Sequence, residues 1–483
     1  MKQGSDIAPT SRSSRPRLVG ALVSLGVVLL LLLPWIVRVD SNLQRTLLIA
    51  QVALIVAGTA SSITPGFRPL QAFIFIFVGC WITVPTIYQI SHSAVAWNDI
   101  FLLADTSRVT KSILITDIAL ASFSIGLLSR RHTARTHHRP DQTPSQRSHR
   151  LASTYIILSL LLLPYVVVSA GGVAALFSSR DELKEALASQ GIGAADSGGA
   201  AVGFVRILPG ALALAGTLLI VVYRSRTSAQ AKDRPSDRRR TIWLFAGLVL
   251  VVLYLNPLAN SRFTSVAAFG SLAVAYFVPR SGFAGKIAVS IGLVALLVVY
   301  PFANVFRAGV GDKYVERTGV AALAGPDYDG FQQIVNSEIY VDDEGYTAGQ
   351  FTSSAALFFV PRSVWSGKAE PASIVIAEHR NYWFTNLSLP IFAEIYVDWS
   401  LVGMVIIGLL FGHLWRRLDD RWLRGGWPEL TSMVAYLCMG ELGLVRGPMG
   451  SLMPIYVTTS GLLAIAVVLS RRRSSGRAVP LTV

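Results

Sequence analysis

Leu18-Val-Gly-Ala-Leu-Val-Ser-Leu-Gly-Val-Val-Leu-Leu-Leu-Leu-Leu-Pro-Trp-Ile-Val37 decides the fold class. The run carries no charge, and as a helix of ~20 residues it spans a hydrocarbon core of ~30 Å. A basic head (Lys2, Arg12, Arg15, Arg17) precedes it, as in a secretory signal. The apolar run is too long for one and lacks a small-residue cleavage site, so it reads as a retained helix. Further runs of this kind lie at 47–63, 70–90, 113–129, 151–170, 202–223, 242–257, 262–279, 287–303, 391–415, 428–446 and 454–470. In lipid only helices and closed barrels satisfy every backbone group, and unbroken apolar runs mean helices. The expected fold is an all-α polytopic membrane protein of about twelve transmembrane helices. Composition agrees: of 483 residues, 52% are hydrophobic and 15% charged, and the mean hydropathy is +0.52.

The formal net charge of +15 is a matter of topology. Arg and Lys gather in alternate connections, from Arg130 to Arg150, Arg224 to Arg240, Arg416 to Arg424 and Arg471 to Arg477. Twelve spans with the N-terminus inside place every cluster on the cytoplasmic side, as the positive-inside rule demands. The expected location is a bacterial cytoplasmic membrane with both termini inside, and nucleic acid is not an expected partner. The chain then divides into a basic head (1–17), nine spans (18–303), a large extracytoplasmic loop (304–390), three spans (391–470) and a tail (471–483). That loop has more acidic than basic residues and no cysteine, so packing must order it. Cys80 and Cys438, the only cysteines, fall within spans.

Shorter segments read plainly. His132, His137, His138 and His149 belong to a solvated linker, and 178–189 to a short surface helix. Asp342-Asp343-Glu344 lacks the spacing of a calcium loop, so no metal site is expected. Neither a Gly-x-Ser-x-Gly nor a phosphate-binding Gly-x4-Gly-Lys-Ser/Thr pattern occurs, and no cofactor is expected. The two halves do not repeat each other, which counts against a secondary transporter.

Chemistry concentrates at the outer edge. Arg206, Arg262, Arg307, Arg362 and Arg446 come from separate segments at one expected depth. Ionisable groups there are functional candidates, and converging guanidinium groups suit a diphosphate. The carboxylates are Asp329, Glu378, Glu394 and Asp398. Glu394 and Asp398, four residues apart, share one helix face in apolar surroundings, where either could serve as a general base or pair with an arginine. Trp365, Tyr382, Trp383 and Trp399 offer sugar-stacking platforms or an interfacial belt. Asp117, inside the fourth span, reads as a structural hydrogen-bond partner.

These residues carry a resemblance. Asn260-Ser-Arg262 opens a span and Arg307 closes the next. Asp327-Tyr-Asp329-Gly-Phe-Gln lies in the loop. Val360-Pro361-Arg362-Ser-Val-Trp365-Ser-Gly-Lys368 follows, then Pro390, Glu394 and Gly403 leading into Gly408 and Gly412. The chain here resembles the bacterial O-antigen polymerase (Wzy-like) family, the oligosaccharide repeat unit polymerases. The resemblance implies a GT-C-like glycosyltransferase that extends polyprenyl-diphosphate-linked oligosaccharides on the outer face of the bilayer, beside a flippase or a chain-length regulator. It implies Arg262, Arg307, Arg362, Lys368 and Arg446 on the diphosphate. Glu394, Asp398 or Arg362 would act in catalysis, and Asp329, Trp365, Tyr382 and Trp383 would hold glycan. A glycan ligase and a flippase or transporter of lipid-linked sugars are the alternatives.

Overall fold

The structure is a computed structural model. It describes residues 15–63, 66–97, 99, 101–129, 146–178, 183, 199–227, 236–278, 319–385, 387–424 and 428–471. These residues form helices and turns, with no strand among them. In chain order the helices are α1 (Arg15–Ile36), α2 (Asn42–Ile63), α3 (Pro69–Val78), α4 (Val84–Ser91), α5 (Thr106–Leu128), α6 (Gln146–Ala170), α7 (Gly199–Thr227), α8 (Ser236–Leu255) and α9 (Arg262–Phe277). After these come α10 (Gly330–Glu344), α11 (Gln350–Ala356), α12 (Ala372–His379), α13 (Ile391–Leu423), α14 (Pro428–Arg446) and α15 (Met449–Arg471). Each expected span falls on a helix except 287–303, which lies outside the described residues. Seven helical segments are long and apolar enough to cross a membrane: α2, the α3–α4 unit, α5, α6, α7, α13 and α15. The protein is membrane-embedded. Leu30, Leu31, Leu128 and Leu161 project from the bundle with more than half of their surface bare, as lipid-facing side chains do.

The centre of the bundle is α14, enclosed from Pro428 to Val445 and packed on α3, α9 and α15. The tightest seam joins α5 and α13. A Cβ on Gly408 would lie 2.2 Å from Ser122 Oγ, and one on Gly412 2.1 Å from the Phe123 carbonyl oxygen. Small residues four apart let two membrane helices approach this closely, where lipid gives no hydrophobic push.

Two helices are irregular. Between α3 and α4 the chain widens into one π turn, Gly79–Thr83, just before Pro85. Pro85 lacks an N–H and would crowd a regular helix, and the wider turn relieves this. It also sets Trp81 into the core, where its Nε1 donates to the Asp327 carbonyl at 2.8 Å. The second irregularity is Ser400 in α13, with φ 58° and ψ −172°. It divides the helix into 391–399 and 401–423. The second part carries the close contacts with α5.

The segment 319–385 forms a cap on one end of the bundle, here called the loop end. It holds α10, α11 and α12. Packing orders it, as its lack of cysteine requires; Cys80 and Cys438 are free thiols. Asp342 and Glu338 of α10 pair with Arg108 and Lys111 of α5. Asp342 therefore makes ion pairs rather than standing wholly solvated. At the opposite end Asp419 accepts from the Leu70 and Gln71 amides, 3.2 and 2.9 Å, at the positive start of α3.

Candidate functional site

The loop end collects an uncommon amount of buried polarity. Along α10, Gln332, Gln333, Asn336, Ser337 and Glu338 are all almost fully enclosed. A helix hides such a face only when partners satisfy it, because a buried polar group without one costs ~1–3 kcal/mol. The partners come from three other segments. Gln332 exchanges hydrogen bonds with the backbone of Trp97, its Oε1 accepting from N and its Nε2 donating to O, both at 3.0 Å. Its Nε2 and Asn336 Nδ2 each lie 3.1 Å from Tyr382 Oη. Tyr382 Oη also reaches Asp99, whose Oδ2 accepts from Arg380 Nη2 at 2.6 Å.

Asp329 is the hub. It is 1% exposed and sits at the residue before α10. Its Oδ2 accepts from Trp97 Nε1 at 2.8 Å, the Ser388 amide at 3.3 Å and Gln333 Nε2 at 3.4 Å. Its Oδ1 and the Ser388 hydroxyl are both buried and neither makes a hydrogen bond of normal geometry, although the hydroxyl lies near enough to the carboxyl to lower its proton affinity. Burial drives the Asp329 carboxyl above the usual carboxylate range, while the Arg446 guanidinium and the bonds from Ser388 and Trp97 oppose it. The result is a carboxylate of raised proton affinity, oriented through one oxygen and with the other buried and unpaired.

Arg446, at the end of α14, supplies the positive charge. Its Nε and Nη2 donate to the carbonyls of Asp327 and Pro326 at 3.0 and 3.2 Å, and Nη2 pairs with Asp327 Oδ1 at 3.2 Å. The guanidinium lies 4.5 Å above the Phe263 ring. Its Nη1 makes no hydrogen bond among the described residues. Beneath Phe263 a narrow apolar slot runs between α7, α9, α14 and α15, lined by Leu214, Leu255, Tyr436, Leu452 and Tyr456. Beside Asp329, Trp97 stacks on Phe384 at 5.3 Å and meets Trp383 edge-on at 6.1 Å. Trp383 is 56% exposed, so the aromatic group has a bare ring at its edge.

Thus Asp329, Arg446, Tyr382 and Trp383 share one neighbourhood. Other sequence candidates are placed elsewhere. Glu394 and Asp398 do share a face, but each holds a helix start. Glu394 Oε2 accepts from the Met449 amide at 2.8 Å, the first residue of α15. Asp398 accepts from the Phe351 and Thr352 amides at 3.1 and 2.6 Å, and from the hydroxyls of Thr347 and Thr352. Both its oxygens are taken. Arg362 is half exposed; it donates to the Lys368 carbonyl at 2.7 Å and pairs with Glu370 at 3.8 Å. Lys368 donates to the carbonyls of Leu357, Phe358 and Val360, closing the turn after α11. Burial and the Arg362 charge lower its proton affinity. Trp365 belongs to that turn and makes no ring contact with the Trp97 group.

Arg262 opens α9, and its side chain, like that of Arg206, lies outside the described residues. Arg307 and the histidines at 132, 137 and 138 lie wholly outside them, as do 1–14 and most of 178–189. Asp117 departs from its reading as a structural partner: both its oxygens are buried and unpartnered. Sequence reasoning missed Trp97, Gln332, Asn336 and Ser388. The Gln332 and Asn336 spacing of four was the available signal; for Trp97, far off in sequence, there was none.

Neither a family model, a curated protein nor a solved structure matches the chain.

Proposed function

We propose that this protein is an extracytoplasmic membrane glycosyltransferase that polymerises polyprenyl-diphosphate-linked oligosaccharide repeats into a cell-envelope polysaccharide. The observation that carries the reading is Asp329: a buried carboxylate fixed through one oxygen and unpaired at the other, beside a guanidinium and an aromatic wall. Extension of a lipid-linked glycan requires just two aids. An acceptor hydroxyl must lose its proton as it attacks, and the diphosphate carrier must leave as an anion. Asp329 Oδ1 takes the proton, its affinity raised by burial toward the operating pH. Arg446, with Nη1 uncommitted and its charge acting on the same site, steadies the departing diphosphate. The acceptor sugar stacks on the Trp383 edge of the Trp97 group and meets Tyr382.

The same reading has twelve spans in a GT-C-like arrangement, both termini in the cytoplasm and the 319–385 cap outside a bacterial cytoplasmic membrane. Arg262 and Arg307 would add to the charge around the diphosphate. Arg362 and Lys368 brace the cap rather than act on substrate, and Glu394 and Asp398 act as helix anchors. Ligation of a finished glycan would use similar chemistry, and a flippase remains the rival from outside enzymology.

Deletion of the gene in its host, followed by sizing of lipid-linked glycans on each membrane face, separates the readings. Single repeats outside in place of long chains are the expected result. Long chains stranded on the outer carrier would make it a ligase, and single repeats trapped inside would make it a flippase.

A further inference from the structure

The glycosyl-transfer reading gives no work to the membrane half of α5, yet Asp117 sits there with both oxygens dry and unpartnered. An ionised carboxylate at that depth costs ~2.5–3.5 kcal/mol or more unless something neutralises it. Among the described residues no ion pair reaches it, and no charged group acts on it. Many charges of the packed elements have partners of their own. On α5 itself, Arg108 and Lys111 pair with Asp342 and Glu338 of α10. On α2, Arg45 donates to the Val39 carbonyl and Asn42. On α13, Glu394 and Asp398 hold helix starts, His413 meets Ser129, and Arg416 pairs with Asp420.

What does face Asp117 follows from register. Gln44 of α2 donates to the Thr106 carbonyl and Thr110 Oγ1 of α5 at 3.2 and 3.1 Å. Further along, a Cβ on Gly58 of α2 would press on the Phe75 ring, which meets the Phe123 ring of α5 at 5.8 Å. The two helices therefore run parallel with Gln44 level with Thr110. Seven residues return a helix to nearly the same face. Seven beyond Gln44 is Gln51, and seven beyond Thr110 is Asp117. Gln51 is 1% exposed, and its Oε1 is buried with no partner. By this register Gln51 and Asp117 hold corresponding positions on the two helices, and three of their oxygens, two of Asp117 and one of Gln51, are buried without a partner.

We propose that Asp117 and Gln51 form an intramembrane proton-binding site. A carboxylic acid and a primary amide are complementary: the acid O–H donates to the amide oxygen, and the amide N–H donates to the acid carbonyl. A carboxylate offers only acceptors and leaves Gln51 Oε1 facing an anion. One bound proton therefore satisfies the seam, and its loss sets an ion between α2 and α5. Side-chain rotation closes the pair, since no hydrogen bond joins the two in this structure. The site is independent of glycosyl transfer and stands or falls separately from it.

Infrared difference spectroscopy on the full chain in lipid nanodiscs at neutral pH tests this. The wild type minus Asp117→Asn spectrum isolates this carboxyl group from the other buried acids. The expected result is loss of a protonated-acid carbonyl band in the variant. Loss of a carboxylate band instead would overturn the proposal. In Gln51→Leu the same acid band should move to higher frequency, as it does when a hydrogen bond is removed; an unmoved band would overturn the pairing with Gln51. The Asp117→Asn change is isosteric, and Gln51→Leu keeps the carboxyl group in a seam that remains filled.

Discussion

Three carboxylates at the loop end differ in what their oxygens hold, and this fixes what each substitution should do. Asp329→Asn keeps the size and the Trp97 contact but removes the proton acceptor, so glycan extension should be lost while the protein inserts normally. Stability should move the other way. Burial raises the folded-state proton affinity of Asp329 above its unfolded value. Its stabilising contribution is therefore present below the unfolded pKa and is lost as pH rises through the folded one. Thermal unfolding should thus show Asp329→Asn gaining on the wild type as pH rises; a gap constant with pH would contradict the burial argument. Glu394→Gln still offers an oxygen to the Met449 amide, so activity and folding should both survive. Complete loss of polymer in that variant would return Glu394 to the role of base. Asp398→Ala strips four donors of their acceptor and frees the start of α11, at a cost of about 2–3 kcal/mol in denaturation experiments. The sequence placed Glu394 and Asp398 on one face, which they occupy. It could not show that α15 and α11 begin against them, because those contacts join segments about fifty residues apart.

The elements most open to test are the broken helix and its seam. Ser400 holds a backbone conformation that glycine adopts freely and other residues adopt at a cost of order 1–3 kcal/mol. Ser400→Gly should therefore raise stability by about 1 kcal/mol without loss of fold. The break lets Glu394 and Asp398 of 391–399 tie to α15 and α11, while 401–423 carries the close contacts with α5. Trp399, beside it, packs so closely on Gly349 (φ 85°) that a Cβ there would come within 2.0 Å of the indole. Gly412→Leu should separate α5 from α13 and cost about 1–3 kcal/mol or more, read as earlier unfolding in detergent. Gly408 and Gly412 stood out in the sequence only as part of the resemblance, not as a packing seam. The Ser400 break was not legible either, since nothing local to serine demands a positive φ; contacts around Trp399 and Asp398 impose it. The π turn before Pro85 was not read from the sequence, and its purpose, aiming Trp81 at Asp327, depends on a partner 246 residues away.

At the scale of the whole molecule, apolar runs located the helices of the bundle but not α10, α11 and α12 of the cap, and seven of the helical segments are long and apolar enough to cross a membrane. Charge asymmetry singled out the connection that becomes the cap. What the sequence could not reveal was how the cap folds onto the bundle. There the polar face of α10 turns inward, Trp97 arrives from the connection before α5, and Arg446 leans over from α14. In the proposed reading that convergence puts the base at Asp329 rather than at the Glu394–Asp398 pair, with Arg362 and Lys368 as braces of the cap. The most direct measurement complements a strain lacking this gene with Asp329→Asn, verifies membrane insertion, and sizes the polyprenyl-linked glycan by electrophoresis. The account predicts single repeats where the wild type gives a ladder of long chains. A wild-type ladder from the inserted variant would contradict it.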